Sequence, residues 1–105
     1  SCVIIYARLT AAAGADLTIV LYNPASRGRP DYLQRACDIL LRTLPEERPC
    51  GVARSIGREG ESRTILPLGR LRDFEADMFC TVFVGNSQTE VIGGELVTPR
   101  GYRNV

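Results

Sequence analysis

The chain has 105 residues, 13 basic and 12 acidic side chains and a formal net charge of +1, a length that suits one domain and leaves no room for two. At 45% apolar and 24% charged residues the composition is that of a folded globular protein and excludes a disordered one. It has no His and no Lys, which removes Ser-His-Asp and Cys-His catalysis, imidazole metal ligation, Schiff-base chemistry and lysine phosphate loops, and leaves carboxylate, Arg, Tyr or backbone chemistry, or none.

Taken in chain order, the start is ambiguous. Val3-Ile4-Ile5-Tyr6 favours a strand, whereas Arg8 to Ala13 followed by Gly14 favours a helix closed by a glycine cap, and the helix is preferred. Leu17 to Tyr22 is a continuous apolar run, the pattern of a strand covered on both faces. Residues 23–30 break regularity with two prolines and a glycine. From Asp31 the period turns helical, with Leu33, Ala36, Cys37, Leu40, Leu41 and Leu44 on one stripe and Asp31 paired to Arg35 at i, i+4. Gly51 to Ser55 and Thr64 to Leu66 with Leu68 read as a hairpin around Gly57 to Glu61. Asp73 to Met78 is expected to form a short acidic helix. Cys80 to Val84 is a further buried strand, and Gly93-Gly94 joins a small hairpin.

Residues 17–55, as strand, helix and strand, suit a right-handed crossover. The fold class expected is α/β, a three-layer sandwich whose mixed sheet of about five strands is flanked by helices. Cys2, Cys37, Cys50 and Cys80 contain no CxxC spacing, so neither zinc nor a disulfide framework is expected, and Cys37 and Cys80 fall on apolar faces. No apolar run reaches the ~20 residues of a membrane helix, and Ser1-Cys2-Val3 lacks the basic region of a signal peptide. The Arg residues are interleaved with acids and form no stripe for nucleic acid. The GxxG of Gly57 and Gly60 has strand flanks, unlike the helical flanks of an RNA-binding KH module. Asp73, Glu75 and Asp77 read as a solvated acidic face, with no metal expected.

In an open α/β sheet, ligands collect beyond the carboxyl ends of strands. Three polar segments are expected there: Tyr22-Asn23-Pro24 with Arg27 and Arg29 behind it, residues 55–60, and Gly85 to Thr89. Each either holds a ligand or only turns and solvates the chain. On this evidence alone the chain is an α/β domain with a ligand edge.

Read together, these segments resemble the C-terminal half of a tetrapyrrole methylase, within that family the branch that methylates C17 of a corrin precursor. The resemblance rests on Arg8-Leu9, Ala11 to Ala13, Ala15-Asp16, Leu21-Tyr22-Asn23-Pro24 and Gly28-Arg29-Pro30. It continues through Gly57-Arg58-Glu59-Gly60-Glu61-Ser62, Asp77-Met78-Phe79, Val84 to Thr89 and Val97-Thr98-Pro99-Arg100-Gly101-Tyr102. It implies an S-adenosylmethionine-dependent enzyme of cobalamin biosynthesis, a cytoplasmic homodimer acting on a precorrin-type tetrapyrrole. The cofactor would lie between two α/β domains, of which this chain is the second. It implies cofactor contacts at Tyr22, Asn23, Ser55, Ile56 and Gly85, where Asn23 and Ser55-Ile56 depart from the commoner Met and Asn-Ala. Substrate contacts are assigned to Arg58, Arg100 and Asn86, with Arg27 and Arg29 secondary, because a guanidinium fork pairs with the carboxylates of the macrocycle. No catalytic residue is assigned. Without the first domain the chain is expected to fold, to bind the cofactor weakly or not at all, and not to methylate. The competing expectations are a methylase of other position specificity and a non-catalytic interaction module that uses the bare cleft face.

Overall fold

The computed structural model describes residues 2–22, 31–57, 59–77 and 79–99, the side chains of 2–6 excepted. Helix α1 spans Cys2–Gly14, so the helical reading of the start holds, and Leu9 and Ala13, four residues apart, are buried on one face. Its cap is not at Gly14. The Asp16 amide donates to the Ala13 carbonyl at 3.1 Å and the Leu17 amide to the Ala12 carbonyl at 3.0 Å, while Asp16 itself is left-handed with φ 57. That is a Schellman closure with Asp16 in the position usually held by glycine, which a short polar side chain tolerates.

Strand β1 (Ile19–Tyr22) leads through residues 23–30 to helix α2 (Tyr32–Leu40). The expected stripe forms, with Leu33, Ala36, Cys37 and Leu40 buried, and the Asp31–Arg35 pair closes at 2.6 Å. The regular helix is shorter than its apolar period suggests: Arg42 and Thr43 already bond three residues back, to Ile39 and Leu40, and Pro45 follows. Strands β2 (Pro49–Arg54) and β3 (Ser62–Pro67) form the expected hairpin. Leu68 does not extend β3. It starts α3 (Leu68–Leu71), a single turn that buries Leu68 and Leu71.

The acidic helix expected over 73–78 is absent from the described residues, of which 73–77 are irregular. The Asp77 carboxylate accepts the Phe79 amide at 2.8 Å, a local bond that competes with helix formation, and Arg54 takes the Glu75 carbonyl at 3.2 Å. Strands β4 (Cys80–Val84), β5 (Glu90–Ile92) and β6 (Glu95–Val97) follow. The β5–β6 turn has φ 58 at Gly93 and 78 at Gly94, a conformation that glycine adopts without strain.

Among the described residues the main sheet has four strands in the order β1-β4-β2-β3, with β5 and β6 in a separate sheet. Every neighbouring pair is antiparallel. Strands β1 and β2 still run in the same direction, as the crossover requires, but β4 lies between them. The apolar run of β4 explains its central position, because Val82 and Val84 are fully buried and both edges of the strand are paired.

Register separates two faces. Ile19, Leu21, Cys50, Val52, Cys80, Val82 and Val84 share one face and join Leu9, Leu33, Cys37, Leu40, Leu68 and Leu71 in a single core, each large side chain contributing about 1.5–3 kcal/mol on burial. All three helices therefore pack on that face. On the outer face the third layer, among the described residues, is the β5–β6 hairpin and not a helix.

Candidate functional site

The outer face carries Val20, Phe83, Gly51 and Ile65 in one row across the sheet, set by the pairings Val20↔Phe83, Gly51↔Phe83 and Gly51↔Ile65. These residues floor a cleft of about 690 Å³, with Leu96 and Thr98 of the hairpin segment along its side and Ile56, Gly85 and Thr89 in its lining. Gly51 is what lets the hairpin approach: a Cβ there would stand 3.0 Å from Leu96 Cδ1. The cleft lies within the size range of small-molecule sites, and its floor is apolar. Arg63 and Glu95 are the charged residues in its described lining, Arg63 being drawn to Glu61 at 3.8 Å.

Strand direction divides the expected site residues between two edges. Because β1 and β2 run together and β4 runs against them, the end of β1 at Tyr22 and the end of β2 at Ser55 lie beside the start of β4 at Phe79. The Ser55 amide donates to the Phe79 carbonyl at 3.0 Å. Gly85 to Thr89, at the far end of β4, are on the opposite edge, roughly 20 Å away at about 3.3 Å per residue. The three polar segments therefore do not share one edge, as the sequence suggested, although the cleft reaches from Ile56 at one edge to Gly85 at the other.

At the first edge, Tyr22 is 75% exposed and Ile56 51% exposed. Ser55 has φ 55 and Gly57 φ 75, and the Gly57 amide donates to Glu61 Oε1 at 3.4 Å. A non-glycine residue held left-handed at this edge is a local cost that the surrounding turn must offset.

At the second edge the polar groups are bonded to each other. The Asp16 carboxylate accepts the Ser87 amide at 2.8 Å and the Ser87 hydroxyl, and Arg48 stands 3.7 Å from it. The Ser87 hydroxyl, then its amide, then Arg48 hold the Asp16 carboxyl below the usual carboxylate range. The Asn86 side chain donates to the Asp16 carbonyl at 3.2 Å and accepts the Gln88 amide at 2.9 Å. Thr89 Oγ1 accepts the Asn86 amide at 2.8 Å and lies 2.6 Å from Thr98 Oγ1. Gly85 is dictated by this arrangement, because a Cβ would fall 2.6 Å from Thr89 Cβ.

Of the residues expected to bind the cofactor, Ile56 and Gly85 line the cleft, Ser55 shapes its turn, and Tyr22 stands on the outer face outside the lining. Both ends of the Asn86 amide, expected to meet substrate, are engaged within the chain. Asn23, Arg27, Arg29, Arg58 and Arg100 lie outside the described residues. Sequence reasoning missed Val20, Gly51, Phe83 and Leu96, and had Thr89 only as the end of the polar segment Gly85 to Thr89. The continuous apolar run of β1 was a signal for Val20: it calls for cover on both faces, yet Val20 is 41% exposed.

The described residues offer binding surface and no activated nucleophile. Cys37, Cys50 and Cys80 are free and buried, and burial pushes the Cys37 and Cys50 thiols up to about 12. No group of His, Cys, Asp or Glu among the described residues is placed to hold a metal ion, and no helix there is long and apolar enough to cross a membrane.

The chain superposes on the methyltransferase CobJ with a TM-score of 0.84 and 31% identity, over 94% of this chain and 41% of that one. A cobalt precorrin-4 methyltransferase shares the fold at a TM-score of 0.58 and 16% identity, over 73% of this chain and 32% of the other. The fold is thus that of the CobJ methyltransferase over this part of its chain. No protein-family model matches the chain, but individual relatives do.

It is 45% identical over 100 residues to a probable cobalt-factor III C(17)-methyltransferase of Salmonella typhimurium, covering 94% of this chain and 41% of the relative. It is 36% identical over 104 residues to the precorrin-3B C(17)-methyltransferase of Sinorhizobium sp, with the same 94% and 41% coverage. The chain belongs to the C(17)-methyltransferase family and matches a C-terminal part of its members. It spans about two-fifths of the length of these two relatives.

Proposed function

We propose that this chain is the C-terminal domain of an S-adenosylmethionine-dependent methyltransferase that methylates C17 of a precorrin-3B or cobalt-factor III tetrapyrrole in cobalamin biosynthesis. The observation that carries this reading is a half-built cleft in a chain that matches two-fifths of each of two C(17)-methyltransferases. The sheet has an apolar outer face, with Val20 and Ile56 exposed beside Phe83 and Gly51, and among the described residues a hairpin covers part of it. A preceding domain would supply the opposite wall.

The lining suits the proposed cofactor. Val20, Phe83 and Ile65 offer an apolar floor to the cofactor's purine and its methylene groups, and the left-handed turn at Ser55 to Gly57 brings backbone groups to the cleft edge. The cofactor supplies a methyl group on a sulfonium. The tasks left to the chain are alignment and exclusion of water, which need neither His nor Lys. Tyr22, Asn23, Ser55, Ile56 and Gly85 form its share of the cofactor site. Arg58 and Arg100 clamp substrate carboxylates through bidentate pairs, with Arg63, at the cleft, as a third cation of the same kind. The complete enzyme works as a cytoplasmic homodimer, and the 105 residues alone do not turn over.

The test is methyl transfer by the protein extended to its relatives' length, with S-adenosylmethionine and either cobalt-factor III or precorrin-3B. The expected product carries one new methyl at C17, located by NMR. A methyl at another carbon, or no transfer with either acceptor, overturns the reading.

A further inference from the structure

We infer that Asp16 is a positioning residue for the cofactor cleft, acting from outside it through the loop of residues 85–89; the inference rests on the reading of that cleft as the cofactor site. Asp16 is exposed, closes helix α1, and is absent from the cleft lining. Yet its carboxylate takes both donors of Ser87, and its carbonyl takes the Asn86 side chain at 3.2 Å. Asn86 in turn fixes Thr89 through its amide at 2.8 Å, and Thr89 fixes Thr98 at 2.6 Å. Thr89 is 7% exposed, the buried polar residue of the described chain, and with Gly85 and Thr98 it forms one end of the cleft. A chain of short hydrogen bonds therefore runs from a helix cap to the cleft wall. Arg48 at 3.7 Å adds the charge that keeps the carboxylate in place.

The left-handed backbone at residue 16, φ 57, makes a clean test possible. Asp16→Gly keeps the helix closure, which glycine adopts freely, and removes only the carboxylate. In the full-length enzyme, Asp16→Gly is expected to raise both the Kd and the KM for S-adenosylmethionine about tenfold, as loss of charge-assisted bonds at a binding wall implies, with kcat near wild type. Asp16→Asn, which keeps one acceptor for the Ser87 amide, falls between. Arg72→Ala serves as the control, since it removes an ion pair to Asp38 at 2.5 Å on the helix side of the sheet; it lowers stability and leaves the Kd unchanged.

Amide exchange at Ser87 and Thr89 in Asp16→Gly is expected to quicken by a similar factor while the melting temperature changes little. An unchanged Kd, a loss of affinity matched by Arg72→Ala, or unchanged exchange at Ser87 and Thr89 overturns the inference. If the wild-type enzyme itself fails to bind S-adenosylmethionine, the cofactor reading of the cleft falls, and the exchange comparison still decides whether Asp16 holds the loop.

Discussion

Among the described residues, Asp16 and Ser55 adopt left-handed backbone without being glycine, with φ 57 and 55. Asp16 is compensated by its bonds to Ser87, whereas Ser55 is held by one amide bond to Phe79. Ser55→Gly, and to a lesser degree Ser55→Asn, is therefore expected to stabilise the chain by roughly 0.5–1 kcal/mol, read from the midpoint of denaturant unfolding. Destabilisation by either variant would mean that the serine side chain contributes a contact worth more than the strain. Neither left-handed position was visible in the sequence, because Gly14 two residues before Asp16 is the more obvious cap. Gly93 and Gly94 were visible, because a glycine pair between two apolar pairs has few other uses.

Elements were legible where a single period dominates. The stripe of α2, the β2–β3 hairpin and the β5–β6 hairpin follow from local pattern and turn residues. The acidic helix failed because Asp77 bonds the Phe79 amide instead, a choice that composition does not reveal. The direction of β4 was illegible for a different reason: an apolar strand carries no mark of which way it runs, and that direction alone sends Gly85 to the edge opposite Ser55.

How these elements are tied sets the pH range of stability. Asp16 and Asp77 are both held below the usual carboxylate value, Asp16 first by the Ser87 hydroxyl and Asp77 first by the Phe79 amide. Their contribution is present above the ordinary carboxylate range near pH 4 and is lost as pH falls through the depressed values. Cys37 and Cys50 are raised from 9.0 to about 12 by burial. The unfolded chain sheds those protons first, so stability is full below pH 9.0 and declines as pH rises toward 12. Denaturant unfolding across pH is expected to show a plateau with both limbs. Cys37→Ala and Cys50→Ala each flatten the alkaline limb, and an alkaline limb unchanged by both would contradict this account.

At the scale of the whole molecule, one face of the sheet is finished and the other is not. The helix face is a closed core in which Leu40, Leu68, Leu71 and Val82 are fully buried. The outer face leaves Val20, Tyr22 and Ile56 exposed around a cleft that, among the described residues, the β5–β6 hairpin covers in part. That asymmetry is the observation behind the proposal that a preceding domain supplies the second wall. The family was legible because its segments recur in order along nearly the whole chain. The Arg residues proposed to hold substrate were legible only by resemblance, since a surface Arg has no local signature of its ligand.

The central claim is that the cleft is one half of a cofactor site, and calorimetric titration with S-adenosylmethionine tests it most directly. The protein extended to its relatives' length should bind with a micromolar Kd, while these 105 residues, folded by circular dichroism, should release no binding heat. Micromolar binding by the isolated chain, or none by the extended protein, would contradict the account.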